Sequence, residues 1–148
     1  MTFVLRRPVR FAEVDAAGLV FFPRFHEYCQ DVLEALFAAL PGGFARLLRE
    51  RDLGLPTVHL ETEFQSPLRY GDTARIETTV ERVGRSSVTF RHVIRRDADG
   101  TVSALVRHVT VTARVSSLSA VPVPDDIREL LALYREPVGA AVTEERDA

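Results

Sequence analysis

The chain has 148 residues, a formal net charge of −2, 46% hydrophobic residues and 27% charged residues. That balance fits one globular domain with its own core and excludes a disordered polymer. All 19 basic residues are arginine and form no block, so nucleic acid is not an expected partner.

The single cysteine, Cys29, leaves no internal disulfide, and there is neither a secretory pattern nor an apolar run of spanning length. The expectation is a cytoplasmic protein with no membrane partner.

Residues 3–11 read as a strand, with Pro8 confining it to a sheet edge or a bulge. Val14, Asp15, Ala16, Ala17 and Gly18 break the pattern as a loop. From Arg24 the apolar positions Phe25, Tyr28, Cys29, Val32, Leu33, Leu36, Phe37 and Leu40 follow the rhythm of one helical face. Pro23 stands where a first-turn proline is tolerated, because its missing N–H would have had no partner inside the helix. Pro41, Gly42 and Gly43 end that helix, and residues 44–51 read as a short second one.

After Gly54, Leu55 and Pro56 the period changes to alternation. Residues 57–64 form one strand; then Ala74, Ile76, Thr78 and Val80 share one face of the next. Gly84 allows a tight turn into a strand carrying Val88, Phe90, His92 and Ile94 on one side. Asp97, Ala98, Asp99 and Gly100 signal a hairpin, with residues 102–115 as the returning strand. Pro124, Asp125 and Asp126 open a short helix through Tyr134. The domain is expected over residues 1–137, with 138–148 as a loose polar tail. One long apolar helix followed by a run of strands predicts an α+β domain with the helix laid on a single sheet.

For chemistry, there is no G-x-S-x-G elbow. Cys29 lies on the apolar stripe of the helix, where it packs as a small hydrophobe. His26, His59, His92 and His108 lack metal-site spacing, so no metal is expected. What remains is a carboxylate, Asp15, in a loop that leads into a helix start. Unpaired N–H groups there can hold a carbonyl oxygen as it gains negative charge. Pro23 has no N–H, so the donor is Phe22, Arg24 or a loop residue near Gly18. The carboxylate can attack the carbonyl carbon or activate water. The alternative is that Asp15 caps a turn.

The segment 11–25, with Asp15, Gly18, Phe21, Phe22 and Pro23 ahead of the long helix, resembles the signature of the 4-hydroxybenzoyl-CoA thioesterase family. The likeness continues through Gly54 to Val58, Phe64, Tyr70 to Asp72, Glu81 and Arg82. It implies a hot-dog fold, a five-stranded antiparallel sheet wrapped around a long central helix, assembled as a homodimer or homotetramer. It also implies hydrolysis of an acyl-CoA thioester, with an aromatic acyl group as one option. No cofactor is expected, since coenzyme A is part of the substrate. By the same resemblance Asp15 is the catalytic acid and the backbone amide of Phe22 binds the carbonyl oxygen. His26 matches a family histidine and is expected to line the site or make a partly buried polar contact. The CoA phosphates fall near Arg82, Arg85, Ser86 and Ser87.

Two departures limit the carry-over. Phe22 stands where some relatives have histidine, and Gln30 stands where the 4-hydroxybenzoyl-specific enzyme has an acid that meets the para-hydroxyl. Gln30 retains the means to hydrogen-bond a hydroxyl or amide of the substrate, or serves an ordinary polar helix face. His59 shares a strand face with Glu61 and Glu63 and reads as wet or subunit-facing. His92 reads as a satisfied core histidine, and His108 has no informative neighbourhood. Competing readings are a hot-dog hydratase or dehydratase and a non-catalytic acyl-CoA binding or assembly module.

Overall fold

The computed structural model describes residues 1–137. The expected tail at 138–148 lies outside the described residues.

Helix α1 (Arg24–Phe37) forms where the apolar stripe predicts, and buries Phe25, Tyr28, Cys29, Val32, Leu33, Leu36 and Phe37. Leu40 lies past its end and is half-buried. A short helix α2 (Gly43–Arg49) follows. Five strands, β1 (Phe3–Pro8), β3 (Thr57–Phe64), β4 (Thr73–Val83), β5 (Ser87–Arg96) and β6 (Val102–Val111), form one antiparallel sheet in the order β1-β4-β5-β6-β3. A two-residue strand β2 (Leu53–Gly54) and helix α3 (Asp125–Ala132) complete the main elements.

The sheet packs its inner face on α1, the hot-dog arrangement. Alternation along β4 buries Ala74, Ile76, Thr78 and Val80, and on β5 Val88, Phe90, His92 and Ile94 turn the same way. The helix and sheet build two apolar clusters. One joins Val20, Phe25, Tyr28, Cys29, Val32, Ile76 and Ile94; the other joins Leu33, Leu36, Phe37, Val80, Phe90, Ile127 and Leu131. Fully burying a side chain of this size contributes about 1.5–3 kcal/mol, which is why the amphipathic helix needs the sheet.

Two strand boundaries differ from the sequence reading. Strand β1 ends at Pro8, and residues Phe11–Glu13 form a 3-10 turn instead of continuing it. Proline has no N–H for the ladder, and β1 is indeed an edge strand. The returning strand does not run unbroken to residue 115. It stops at Val111, and Ala113–Arg114 form a separate strand β7 that pairs with β2. Thr112 gives its N–H to the Ser86 carbonyl instead, at 2.7 Å, so alternation continued in sequence while the partner changed.

Candidate active site

Residues 14–20 leave the body of the domain as a narrow excursion. Val14 bridges Val20, and the Asp15 N–H donates to the Leu19 carbonyl at 2.8 Å. Gly18 closes the tip with φ +77°, a conformation that a side chain opposes, and donates its N–H to the Asp15 carbonyl at 3.0 Å. The loop is fastened sideways: the Val20 N–H reaches the Leu68 carbonyl at 2.8 Å and the Tyr70 N–H reaches the Gly18 carbonyl at 3.1 Å.

Asp15 does cap this turn, but with one oxygen. Its Oδ1 accepts the N–H groups of Ala17 at 2.9 Å and Leu19 at 3.2 Å. Its Oδ2 has no hydrogen-bond partner among the described residues, and the side chain is exposed. The turn therefore orients the carboxylate while leaving one oxygen without a hydrogen bond among the described residues.

At the helix start the open choice of donor narrows. Arg24 gives its N–H to the Phe21 carbonyl at 2.9 Å, and Gly18 is committed to Asp15. The Phe21 N–H goes to the Glu13 carbonyl at 2.9 Å and Pro23 has none to give. The N–H of Phe22 is left without an acceptor among the described residues. The ring of Phe22 is 60% exposed and sits in a surface aromatic cluster, 5.3 Å from Phe21 and 6.4 Å from Phe64 between centroids. Phe11 and Tyr70, also exposed, meet edge to face at 5.7 Å.

The other predicted residues spread over three places. His26, half-buried in the first turn of α1, contacts Thr62 of β3 through Nε2 at 2.9 Å, which ties the helix to the edge strand. Gln30, one turn further and exposed, lines an apolar cavity of about 110 Å³ together with Leu33, Phe44, Leu48, Leu53 and Leu55. Arg82, Arg85, Ser86 and Ser87 surround the β4–β5 turn, with both arginines exposed. That turn is pinned by the Gly84 N–H to the Ser87 carbonyl at 2.8 Å and by Arg128, which donates to the Gly84 carbonyl at 3.0 Å. Neither Arg82 nor Arg85 pairs with a carboxylate among the described residues; nearby Glu81 is taken by Arg107 at 2.9 Å. The turn ends β4, whereas residues 68–72, which hold the Asp15 loop, precede it. The 11 residues of β4 at about 3.3 Å each allow up to roughly 35 Å along the strand between them.

Burial pushes the Cys29 thiol up to about 12, in keeping with its role as a core side chain. His59 is exposed and bonds Glu61 at 2.7 Å, the wet strand face expected of it. A depression of about 400 Å³ on the outer face of the sheet is lined by Glu61, Glu63, Glu81, Arg91 and Arg107 and includes none of the predicted site residues.

His92 and His108 belong to a polar seam between the two apolar clusters. His92 bonds Thr78 through Nδ1 at 2.7 Å and His108 at 3.2 Å, and His108 reaches Thr57 at 2.8 Å. The environment of His108 was invisible in sequence because its partners lie on two other strands. Burial, reinforced by the neighbouring His108, pushes His92 down to about 3. Burial and the nearby His26 push His108 down to about 4.

Both histidines are kept neutral by the fold, so the stability they confer is full above about pH 6.5, where the unfolded chain is also neutral. It is lost as pH falls toward 4 and then 3. The guanidinium midpoint of unfolding is expected to drop between pH 7 and pH 5, and to drop less in His92→Gln. An equal drop in both proteins would show that the seam does not carry the acid sensitivity.

One further residue stands out that lies inside the 11–25 segment and has no role assigned from the sequence. Glu13 is only 4% exposed, and its carboxylate meets Arg7 at 2.7 Å, the Arg10 N–H at 2.8 Å and the Tyr28 hydroxyl at 3.2 Å. Its signal was available: an acidic residue two positions before Asp15, where the chain must turn inward.

The profile of the Thioesterase-like superfamily matches residues 9–131. A 1,4-dihydroxy-2-naphthoyl-CoA hydrolase of Prochlorococcus marinus is 33% identical over 114 residues, covering 72% of this chain and 74% of the relative. A hydrolase of the same name from a Synechococcus species is 28% identical over 130 residues, covering 83% and 86%. Among solved structures, a 1,4-dihydroxy-2-naphthoyl-CoA thioesterase from Synechocystis superimposes with a TM-score of 0.83 at 21% identity, covering 93% of this chain and 100% of that one, a likeness of fold. These relatives are named for dihydroxynaphthoyl-CoA and not for 4-hydroxybenzoyl-CoA, so the narrower resemblance widens to the superfamily. By fold, by the segment from Asp15 to the helix start and by the extent of these matches, the chain belongs to the Thioesterase-like, hot-dog superfamily.

Proposed function

We propose that this chain is an acyl-CoA thioesterase that hydrolyses its substrate to the free acid and CoA. The observation that carries the reading is Asp15: one oxygen locked by two N–H groups, the other free, in a loop that leads to the uncommitted N–H of Phe22. The thioester carbonyl oxygen accepts that N–H and gains negative charge as its carbon is attacked. Asp15 either attacks directly, forming an anhydride that water then opens, or draws a proton from the attacking water. In both courses one water is consumed, the acyl group leaves as the free acid and CoA leaves as its thiol.

The acyl group is aromatic in this proposal. The names of the relatives and the apolar cavity that Gln30 helps to line both support it. Gln30 is not committed to a partner among the described residues and matches a hydroxyl on such a ring. A thiol-release assay across aromatic and straight-chain acyl-CoAs tests the reading. Aromatic esters are expected to turn over fastest, and no thiol release from any ester would overturn it.

Arg82, Arg85, Ser86 and Ser87 are the proposed phosphate contacts, supported by arginines free of carboxylate partners among the described residues. Arg85→Ala is expected to raise KM for CoA esters about five- to tenfold and change kcat less than twofold, because phosphate binding is shared by ground and transition states. Unchanged affinity for CoA at low salt would remove Arg85 from the site. The placement of this turn and the Asp15 loop at opposite ends of the 11-residue β4, up to roughly 35 Å apart, supports a pocket assembled from two copies of the chain.

A further inference from the structure

We propose that Glu13 is a positioning residue for this thioester reaction: its buried carboxylate clamps the neck of the Asp15 loop to β1 and α1, and so sets Asp15 against the Phe22 N–H. The inference rests on the function proposed above for Asp15.

The neck is narrow and Glu13 stands in it. The Glu13 carbonyl accepts the Phe21 N–H at 2.9 Å, so the residue that opens the loop is bonded to the one just before Phe22. The next pair inward is the Val14–Val20 bridge, and the next is Asp15 to Leu19. Any shift of Glu13 therefore moves both partners of the proposed chemistry.

Its side chain is held from two elements. Oε1 accepts the Arg10 N–H at 2.8 Å and the Tyr28 hydroxyl at 3.2 Å, the latter from the second turn of α1. Oε2 pairs with Arg7 of β1 at 2.7 Å. Arg7 lies 4.8 Å from the Tyr28 ring centre, and its Nη1 is 2.5 Å from Asp31 on α1, an ion pair outside hydrogen-bond geometry. The ties from the loop to residues 68–70 run toward β4. Val14 and Val20 pack on the apolar side of α1, whose first turn follows Phe22, while the polar ties to it run through Glu13 and through a long 3.5 Å contact from Arg24 to the Ala12 carbonyl.

Stability alone is a poor reason for such a group. Taking a carboxylate and a guanidinium out of water costs several kcal/mol, and apolar pairs of similar volume often serve a fold as well or better. What an apolar pair lacks is direction. A carboxylate with three defined donors has one placement, and the alignment of reacting groups is sensitive to displacements of about 1 Å.

The experiment measures kcat, KM, CoA affinity and thermal midpoint in the full chain for Glu13→Gln, for Arg7→Met/Glu13→Leu and for Tyr28→Phe, beside Asp15→Asn. Glu13→Gln is expected to lower kcat at least about tenfold with KM and CoA affinity within about twofold. Tyr28→Phe, which deletes one donor, reproduces part of that loss. Because breaking the pair destabilises, the double variant is the decisive comparison: its apolar replacement restores the thermal midpoint while kcat stays low. Recovery of kcat together with stability in the double variant would overturn the proposal, since a merely structural role predicts that. So would parental kcat in Glu13→Gln when Asp15→Asn is inactive. Near-parental turnover in Asp15→Asn overturns the Asp15 reading itself, and this inference with it.

Discussion

Replacing Asp15 with asparagine is expected to lower kcat at least about a hundredfold, the scale for losing an acid-base or nucleophilic group. The substitution is gentle to the fold. The asparagine carbonyl oxygen replaces Oδ1 and still accepts the N–H groups of Ala17 and Leu19, so the turn persists. What changes is the free position, where a carboxylate oxygen becomes an amide nitrogen with neither charge nor a lone pair for attack. Circular dichroism and the thermal midpoint should therefore match the parent while thiol release collapses. Single-turnover hydrolysis in oxygen-18 water identifies an anhydride that water opens at the Asp15 carboxyl carbon, because only that course leaves label in the Asp15 carboxylate. Thiol release near the parental rate in Asp15→Asn would remove Asp15 from the chemistry.

The second large effect concerns assembly. Strand β3 ends the sheet at the margin opposite β1, and between Val58 and Phe64 it carries neither proline nor lysine, the usual guards of a solvent-facing edge. Gln65 donates its N–H to the Ser103 carbonyl at 2.9 Å, and the register continues as Glu63 opposite Leu105 and Glu61 opposite Arg107. Antiparallel pairing alternates, so Leu60, Thr62 and Phe64 turn their N–H groups away from β6, toward the open margin. Exposed Val58, Phe64 and Phe22 flank that margin. A second copy pairing there across a two-fold axis would extend the sheet and cover the aromatics.

Proline at Leu60 or Thr62 removes an outward N–H without breaking the β3–β6 ladder. The expected result is a monomer in sedimentation at micromolar concentration and thiol release below about a tenth of the parent, since the ring also blocks close approach of a new strand. Thr62→Val serves as control. It loses the His26 contact but keeps the N–H, and is expected to remain oligomeric. A fully active monomer would show that the pocket does not need a partner.

Much of this molecule was legible in one dimension. The α1 stripe from Phe25 to Phe37, the alternation of Ala74, Ile76, Thr78 and Val80, and the turns at Gly84 and Gly100 are local patterns in which the hydrophobic period and backbone sterics agree. The Asp15 loop was equally visible as a turn before a proline-led helix, while the chemical role proposed for its carboxylate came from the family resemblance.

Partnership between distant residues was not legible. The sequence determined that Asp15 precedes a helix start, yet the residues alone left Phe22, Arg24 and the loop around Gly18 open as donors, and only backbone hydrogen bonds show the N–H groups of Arg24 and Gly18 already committed. It showed His92 among apolar neighbours, but His108 became readable only when β6 lay beside β5 and β3. It placed Glu13 in plain view, and only the packing of β1 and α1 around it revealed a buried carboxylate with three partners. The physical reason is common to all three: periodicity encodes which face of an element leaves water, a property of each segment alone, whereas the satisfaction of a polar group depends on which other segments arrive beside it.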